Sequence, residues 1–273
     1  MYLKMSDLSG RVTIVTGGAG LLGRQYAVAL AQAGAHVVIA DINLQAAENL
    51  AYEVTQSSKA RALGIQTDVS SNASVQAMIA QTIAEFGRVD ILVNNAALDP
   101  KFDPDHASEQ INSFEEYPLQ LWNDSLAVNV TGMFLCAQAV APTMLAQQKG
   151  VIVNVSSIYG LVGPDQRIYQ SDSGGTPVYK PVTYSVTKSA VLGLTSYLAT
   201  YWANKNIRVN TLTLGGVFNN HEEQFVKNYS YRTPLGRMAE KEEYCGALLF
   251  LVSDASSYMT GSNLVIDGGW TAW

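Results

Sequence analysis

The sequence predicts a single α/β domain, residues 1–273, built on a doubly wound parallel sheet of about seven strands flanked by helices. Three observations predict it. Short apolar runs alternate with segments of helical period along the whole chain, as a parallel sheet with crossover helices requires. A hydrophobic content of 48% with only 15% charged residues suits strands covered on both faces and excludes a disordered chain. The first apolar run leads into Gly17, Gly20 and Gly23, the composition of a tight turn that opens a helix.

The elements follow in order. Arg11–Val15 is predicted as a strand. Leu22, Tyr26, Ala29, Leu30 and Ala33 then mark one helix face, stopped by Gly34. His36–Ala40 is the second strand, with His36 structural at its start, followed by a helix over Leu44–Thr55. Ala62–Gln66 is the third strand, and Val75, Met78, Ile79, Thr82, Ile83 and Phe86 form a helical stripe ended by Gly87. Val89–Val93 is the fourth strand. A polar stretch near 98–118 precedes a long helix from about Leu119 to Gln147. Val151–Val155, a helix over Thr183–Asn204, and Ile207–Leu212 come next. Helical segments near Glu222–Asn228 and Lys241–Val252 precede a last strand, Asn263–Ile266. No repeat, low-complexity tract or linker interrupts the series.

Composition excludes several classes of function. A net charge of −6 without a basic run speaks against nucleic acid as a partner. No leader-like segment opens the chain, and no apolar stretch reads as a bilayer span. Cys136 and Cys245 lie in helix-like contexts and read as buried free thiols. A cytoplasmic protein is expected, with no membrane partner and no metal.

In a doubly wound sheet, ligands bind beyond the carboxyl ends of the strands. After the first strand comes Gly17, whose turn can receive a pyrophosphate. After the second comes Asp41, where a carboxylate can accept from both ribose hydroxyls of an adenosine and would repel a 2′-phosphate. NAD is therefore expected over NADP. Asp68 and Val69, Asn94 to Ala96, Ser156 and Ser157, and Leu214 to Gly216 close the other strands. Tyr184 and Lys188 lie four apart on one helix face, where the ammonium favours phenolate over phenol. Tyr201 and Lys205 share the spacing but have no serine-bearing strand end before them, so they read as helix surface.

Thr16-Gly17 through Gly23, Asp68-Val69, Asn94-Asn95-Ala96, Asn129, Ser157, Tyr184-x-x-x-Lys188 and Asp267-Gly268-Gly269, in this order, resemble the short-chain dehydrogenase/reductase family over essentially the whole chain. The resemblance implies a Rossmann-type fold, a nicotinamide cofactor, and a catalytic set of Asn129, Ser157, Tyr184 and Lys188. It implies cofactor contacts from Gly17, Gly20, Leu22, Gly23, Asp41, Ile42, Asp68, Val69, Asn95, Ala96, Tyr184, Lys188, Gly215 and Val217. Three departures stand out. Leu21 occupies a position where the shorter, single-domain branch has glycine. Leu214 precedes Gly215 where the family has proline, which should loosen that turn. Ser157 and Tyr184 are 27 positions apart, roughly twice the family's interval, which places an insertion near 160–180.

Both insertions and the C-terminal Asp267-Gly268-Gly269-Trp270 resemble a bacterial subgroup associated with flagellin and surface-sugar modification. That suggests a sugar, sugar phosphate or nucleotide sugar as substrate, in bacterial glycan biosynthesis. Tyr159, Arg167, Tyr179 and His221 are the candidate substrate contacts. Lys101, His106, Arg167, Lys180, His221 and Arg232 each read more readily as solvated or structural groups, though Lys101, His106, Arg167, Tyr169 and Tyr179 suit hydroxyls or phosphate.

The chemistry expected is hydride transfer between a secondary alcohol or ketone and the cofactor. Tyr184 would take the hydroxyl proton, Ser157 would bind the same oxygen, and Asn129 would hold a water relaying protons to Lys188. A phenol with pKa near 10 needs about 4 kcal/mol of preferential anion stabilisation to act near pH 7. Lys188 and the oxidised nicotinamide are the sources. Polar loops count against the same chemistry on an apolar alcohol such as a steroid-like or 3-oxoacyl substrate. The joint presence of Ser157, Tyr184 and Lys188 counts against a non-catalytic NAD(H)-sensing protein. Val191, Leu194, Thr195, Leu198 and Trp202, with Met133, Phe134, Cys136, Ala137 and Val140, make two apolar helix faces. Family members bury such faces between subunits, so a homo-oligomer, dimer or tetramer, is expected, with Trp270–Trp273 at one contact.

Overall fold

The computed structural model describes residues 5–99, 113–170 and 178–273. Lys101 and His106 lie outside the described residues. Seven parallel strands form one sheet: β1 (Val12–Thr16), β2 (His36–Asp41), β3 (Ala62–Gln66), β4 (Ile91–Asn94), β5 (Gly150–Ser157), β6 (Ile207–Leu214) and β7 (Asn263–Ile266). Their order is β3-β2-β1-β4-β5-β6-β7. The chain therefore winds outward from β1 one way, returns, and winds outward from β4 the other way. This reversal between β1 and β4 leaves a crevice at their carboxyl ends. The architecture is Rossmann-type and doubly wound.

One face of the sheet is covered by α1 (Leu21–Gln32), α2 (Leu44–Ser57) and α8 (Cys245–Val252), and the other by α3 (Asn72–Phe86), α5 (Gly132–Gln147) and α6 (Val182–Tyr201). Helices α4 (Leu119–Leu126) and α7 (Glu223–Arg232) complete the set. Strands β1, β4 and β5 are buried at every position. Continuous Val/Ile/Leu runs are what two-sided burial demands.

Element types agree with the sequence throughout, and the differences lie at ends. Strands β5 and β6 run two residues past their apolar segments, to Ser157 and Leu214. Their last residues pair with each other, and backbone pairing is blind to side-chain polarity. The expected Lys241 helix starts only at Cys245, and the residues before it form turns in which Glu243 accepts from Arg237 and from the backbone N–H of Glu240.

Two expectations change. The helical run Leu119–Gln147 is long and apolar enough to cross a membrane, with a mean hydropathy of 1.4, contrary to the reading that no such stretch exists. Its apolar side nevertheless packs on the sheet through Cys136, Ala137, Ala139, Val140 and Met144. The two helix faces expected to be free for a partner are also largely spoken for. Val191, Thr195, Leu198 and Trp202 are buried in the chain's own core, as are Met133, Cys136, Ala137 and Val140. Since α5 and α6 each turn their most apolar stripe to the sheet, exposure falls instead on Phe134, Val186, Tyr197 and Tyr201. Cys136 is buried, but Cys245 only half-buried.

Candidate active site

The glycine-rich turn is assembled by a latch from the neighbouring strand. The Asn95 side chain donates to the carbonyls of Thr16 and Gly17 at 3.0 and 3.1 Å. The Thr16 hydroxyl accepts from the backbone N–H groups of Asn95 and Ala96. Gly17 has φ +59° and lies so close to Ala96 that a Cβ would approach its Cα to 2.9 Å. A Cβ on Gly23 would fall 2.1 Å from the Gly17 carbonyl oxygen, so helix and turn can meet only at glycine. Gly20 is the N-cap of α1 and provides no side-chain cap, so the first N–H groups of α1 point at whatever anion the turn holds.

Asp41 ends β2. One carboxylate oxygen accepts from Ala19 N at 3.0 Å and the other from Asn43 N at 3.0 Å. The cap of α2 is Asn43, so Asp41 is tied to the glycine-rich turn rather than to a helix end. Ile42 is exposed beside it and Leu22 is half-buried in α1. Asp68 is engaged by the Ser70 N–H and hydroxyl. Val69 packs where Gly132 would otherwise carry a Cβ, 2.8 Å from it. Together these groups fit a dinucleotide along the crevice, with its pyrophosphate at the turn and its adenosine ribose at Asp41.

The other side of the crevice is the seat of α6 on β5. Ser156 donates to the Lys188 carbonyl at 2.8 Å, and Lys188 Nζ donates to the Val155 carbonyl at 3.1 Å. Gly160 lies under the same turn, where a Cβ would come 2.6 Å from the Lys188 carbonyl oxygen. Deeper down, a buried polar chain crosses the sheet. Asn94 donates to Asn154, Asn154 donates to Thr195 on α6, and Thr211 donates to the same hydroxyl, at 2.8–2.9 Å. The two adjacent serines thus divide: Ser156 is spent on the helix, and Ser157, whose hydroxyl accepts from the Tyr159 N–H at 3.3 Å, lies beside Tyr184 and favours its charged form.

Asn129 sits fully buried in a π turn, Ala127–Thr131, between α4 and α5. Its amide donates to Leu98 O and Thr187 Oγ1, and its oxygen accepts from Leu98 N. Both side-chain N–H groups are used, so a water relay at Asn129 can run only through an oxygen.

Burial sets the charges here. It pushes the Tyr184 phenol above its ordinary range, Asp99 adds to the rise, and the Ser157 hydrogen bond opposes it. Burial also lowers Lys188 to about 8, with Asp99 opposing and Lys180 reinforcing the fall. Without cofactor, therefore, burial outweighs Lys188 at Tyr184, and only one of the two sources of anion stabilisation named from the sequence is in place.

After β6 the missing proline does not leave a loose turn. Gly215 N donates to Ile266 O at 2.9 Å. The Tyr244 hydroxyl donates to Gly215 O at 3.1 Å, and Gly216 N donates to the Tyr229 hydroxyl. Val217 bridges Ala239.

Of the expected substrate contacts, Tyr159 stands edge-on to Tyr184 at 6.4 Å and accepts from the Tyr169 hydroxyl at 2.9 Å. Tyr179 is half-buried. Arg167 is 85% exposed and forked onto Asp165, while His221 lies against Phe225. Sequence reasoning passed over Asp99 and read Lys180 as a solvated or structural group. Lys180 Nζ lies 3.9 Å from the Tyr184 ring centroid, nearer than Lys188 at 5.8 Å. Lysines four residues before and four after Tyr184 were the available signal. Tyr201 and Lys205 are exposed, as helix surface should be.

The comparisons agree with this geometry. A family model described as enoyl-(acyl carrier protein) reductase matches residues 18–271. D-threitol dehydrogenase of Mycolicibacterium smegmatis is 36% identical over 97% of this chain and 94% of its own. A gluconate 5-dehydrogenase from Burkholderia cenocepacia, in complex with NADP and tartrate, superposes with a TM-score of 0.86 at 31% identity, each chain covered in full. An NAD+-bound xylitol dehydrogenase gives 0.83 at 28% identity, covering 96% of this chain and 99% of its own. The chain belongs to the short-chain dehydrogenase/reductase family, a class of nicotinamide-dependent oxidoreductases.

The buried lysine makes a stability prediction. Lys188 binds a proton up to about 8 when folded and up to 10.5 when unfolded. Between those values the unfolded chain holds more protons, so stability rises with pH through that window. Thermal unfolding of the cofactor-free protein should show this rise from about pH 8 to 10, and Lys188→Met should flatten it.

Proposed function

We propose that the chain is an NAD-dependent dehydrogenase acting on a secondary alcohol of a neutral polyhydroxylated substrate. The observation carrying this reading is the meeting of Ser157, Tyr184 and Lys188 at the carboxyl end of β5, across the crevice from a glycine-rich turn latched by Asn95. Bound nicotinamide supplies hydride acceptance or donation. The chain does the rest. Ser157 hydrogen-bonds the substrate oxygen, Tyr184 exchanges its proton, and Lys188 supplies positive charge beside the phenol while Ser156 and Gly160 fix its helix turn.

Several features favour a neutral polyol over a phosphate ester. Among the described cations at the mouth, Lys180 is matched by Asp99, and both Arg167 and Arg232 by Asp165. An anionic substrate would have to displace a carboxylate to use any of them. The Tyr159 and Tyr169 hydroxyls suit alcohol groups, and the names threitol and xylitol dehydrogenase fit the same class. The surface-sugar setting suggested by the insertions draws nothing from these relatives. Turnover with NAD across a panel of polyols, sugar acids and sugar phosphates tests the reading, and silence on every alcohol would sink it.

Asp41 supports NAD as the cofactor of this chain, even though the gluconate 5-dehydrogenase binds NADP. The expected preference in kcat/KM is at least tenfold, about 1.4 kcal/mol for one like-charge contact with the 2′-phosphate. Equal values for the two cofactors would refute it, and Asp41→Ala should narrow the gap.

Tyr184→Phe should abolish turnover while NADH still binds, because only the ionisable oxygen is lost. Activity above a few per cent of wild type would place the base elsewhere. Tyr201→Phe should be nearly silent.

The exposed Phe134, Val186, Tyr197 and Tyr201, with Tyr197 and Tyr201 stacked at 5.7 Å, support a homo-oligomer that covers the outer faces of α5 and α6. Trp273, 76% exposed at the C-terminus, offers a second contact. Light scattering at micromolar concentration should give a multiple of 29.4 kDa; the mass of one chain would refute the assembly.

A further inference from the structure

We propose that the Asp99–Lys180 ion pair is a positioning device for Tyr184: Asp99 holds the Lys180 ammonium on the tyrosine ring, where it favours the charged form of the ring oxygen. The inference rests on the reading of Tyr184 as the proton-exchanging group and adds a second cation to the one expected.

The geometry is specific. Lys180 Nζ donates to both oxygens of Asp99, at 2.8 and 2.7 Å, while standing 3.9 Å from the Tyr184 centroid. The two side chains are 15% and 35% exposed, so solvent and salt screen the pair less than an open surface bridge. Neither partner is free to swing. The backbone N–H of Lys180 donates to Gln166 Oε1 at 2.9 Å, and Gln170 holds the Val178 carbonyl at 2.8 Å. On the other side, Asn129 grips both backbone groups of Leu98, the neighbour of Asp99. Each long insertion thus delivers one charge to the same ring.

The charges act with opposite signs. An ammonium on an aromatic face is attracted by the ring, and more strongly once the ring carries a phenolate charge. The carboxylate disfavours that charge, and Asp99 stands next after burial among the causes that raise Tyr184. The other groups facing Tyr184 are Ser157 at the end of β5, Tyr159 just beyond it, Lys188 on α6 and Tyr244 before α8. Burial pushes Tyr159 up to about 12, so the charges that meet the ring near neutral pH are those of Asp99, Lys180 and Lys188.

A merely structural strap between the insertions predicts something different. Breaking it from either end would then cost stability and rate together and leave the ionisation of Tyr184 where it was. The test compares Lys180→Met, Lys180→Arg and Asp99→Asn as complexes with the oxidised cofactor, without substrate. Tyrosinate difference absorbance is titrated, with Tyr184→Phe subtracted to isolate the one ring. Lys180→Met should move the Tyr184 midpoint up by about one pH unit, and Asp99→Asn, which removes the carboxylate charge but keeps an amide oxygen to hold Lys180, should move it down. Lys180→Arg should stay near wild type. The rising limb of kcat/KM should follow, about tenfold at fixed pH per unit moved.

Midpoints that move in the same direction, or not at all, overturn the proposal. So does a wild-type Tyr184 that fails to ionise below about pH 11. If Lys180→Met does not fold, Lys180→Gln takes its place, with the same upward shift expected. Opposite shifts without any turnover would uphold the pair while sinking the dehydrogenase reading, so the two failures are distinguishable.

Discussion

The candidate site depends on how the start of α6 is seated on the end of β5. The turn bearing Lys188 is held by its own backbone: Ser156 donates to the Lys188 carbonyl, and Gly160 allows β5 and α6 to approach within contact of that carbonyl. Because a carbonyl in the helix interior already accepts its i+4 N–H, the serine hydroxyl is an added bond that costs the helix nothing. Lys188 is then free to reach back over the strand to the Val155 carbonyl. The Asn94–Asn154–Thr195–Thr211 chain fixes α6 further along. Unpaired amides and hydroxyls at that depth would cost more than the bonds contribute, which makes one register of helix on sheet strongly preferred.

The crevice on the cofactor side follows the same logic with backbone in place of side chain. Asn95 ties β4 to the turn after β1, across the point where strand order reverses. The turn cannot relax outward without breaking those bonds, nor inward, since Gly17 and Gly23 already stand at contact distance. Its N–H groups are thereby organised before any ligand arrives.

Low polarity around Tyr184 and Lys188 is the other side of this tight seating. Both groups are driven towards their neutral forms by burial. A site that disfavours charge when free responds strongly to each charge introduced into it. That is why one ion pair at the mouth carries weight here that it would lack on an open surface.

The sequence by itself determined the class of fold, because parallel strands buried on both faces must be apolar runs and their crossovers must be amphipathic. It also located the glycine-rich turn, Asp41, Ser157 and the Tyr184–Lys188 spacing, since these are local in the chain or close a predicted strand. Tertiary structure alone decided the rest. It showed that Ser156 serves the helix while Ser157 also caps the turn after β5, that Leu198 and Trp202 pack with the strands, and that Tyr229 and Tyr244 hold the turn that lacks its proline. It also brought Asp99 to Lys180, 81 positions away. Apart from the Ser157 cap, each of these is a contact between segments remote in sequence, and periodicity, which reports which face of an element is buried, carries no information about what that face will meet.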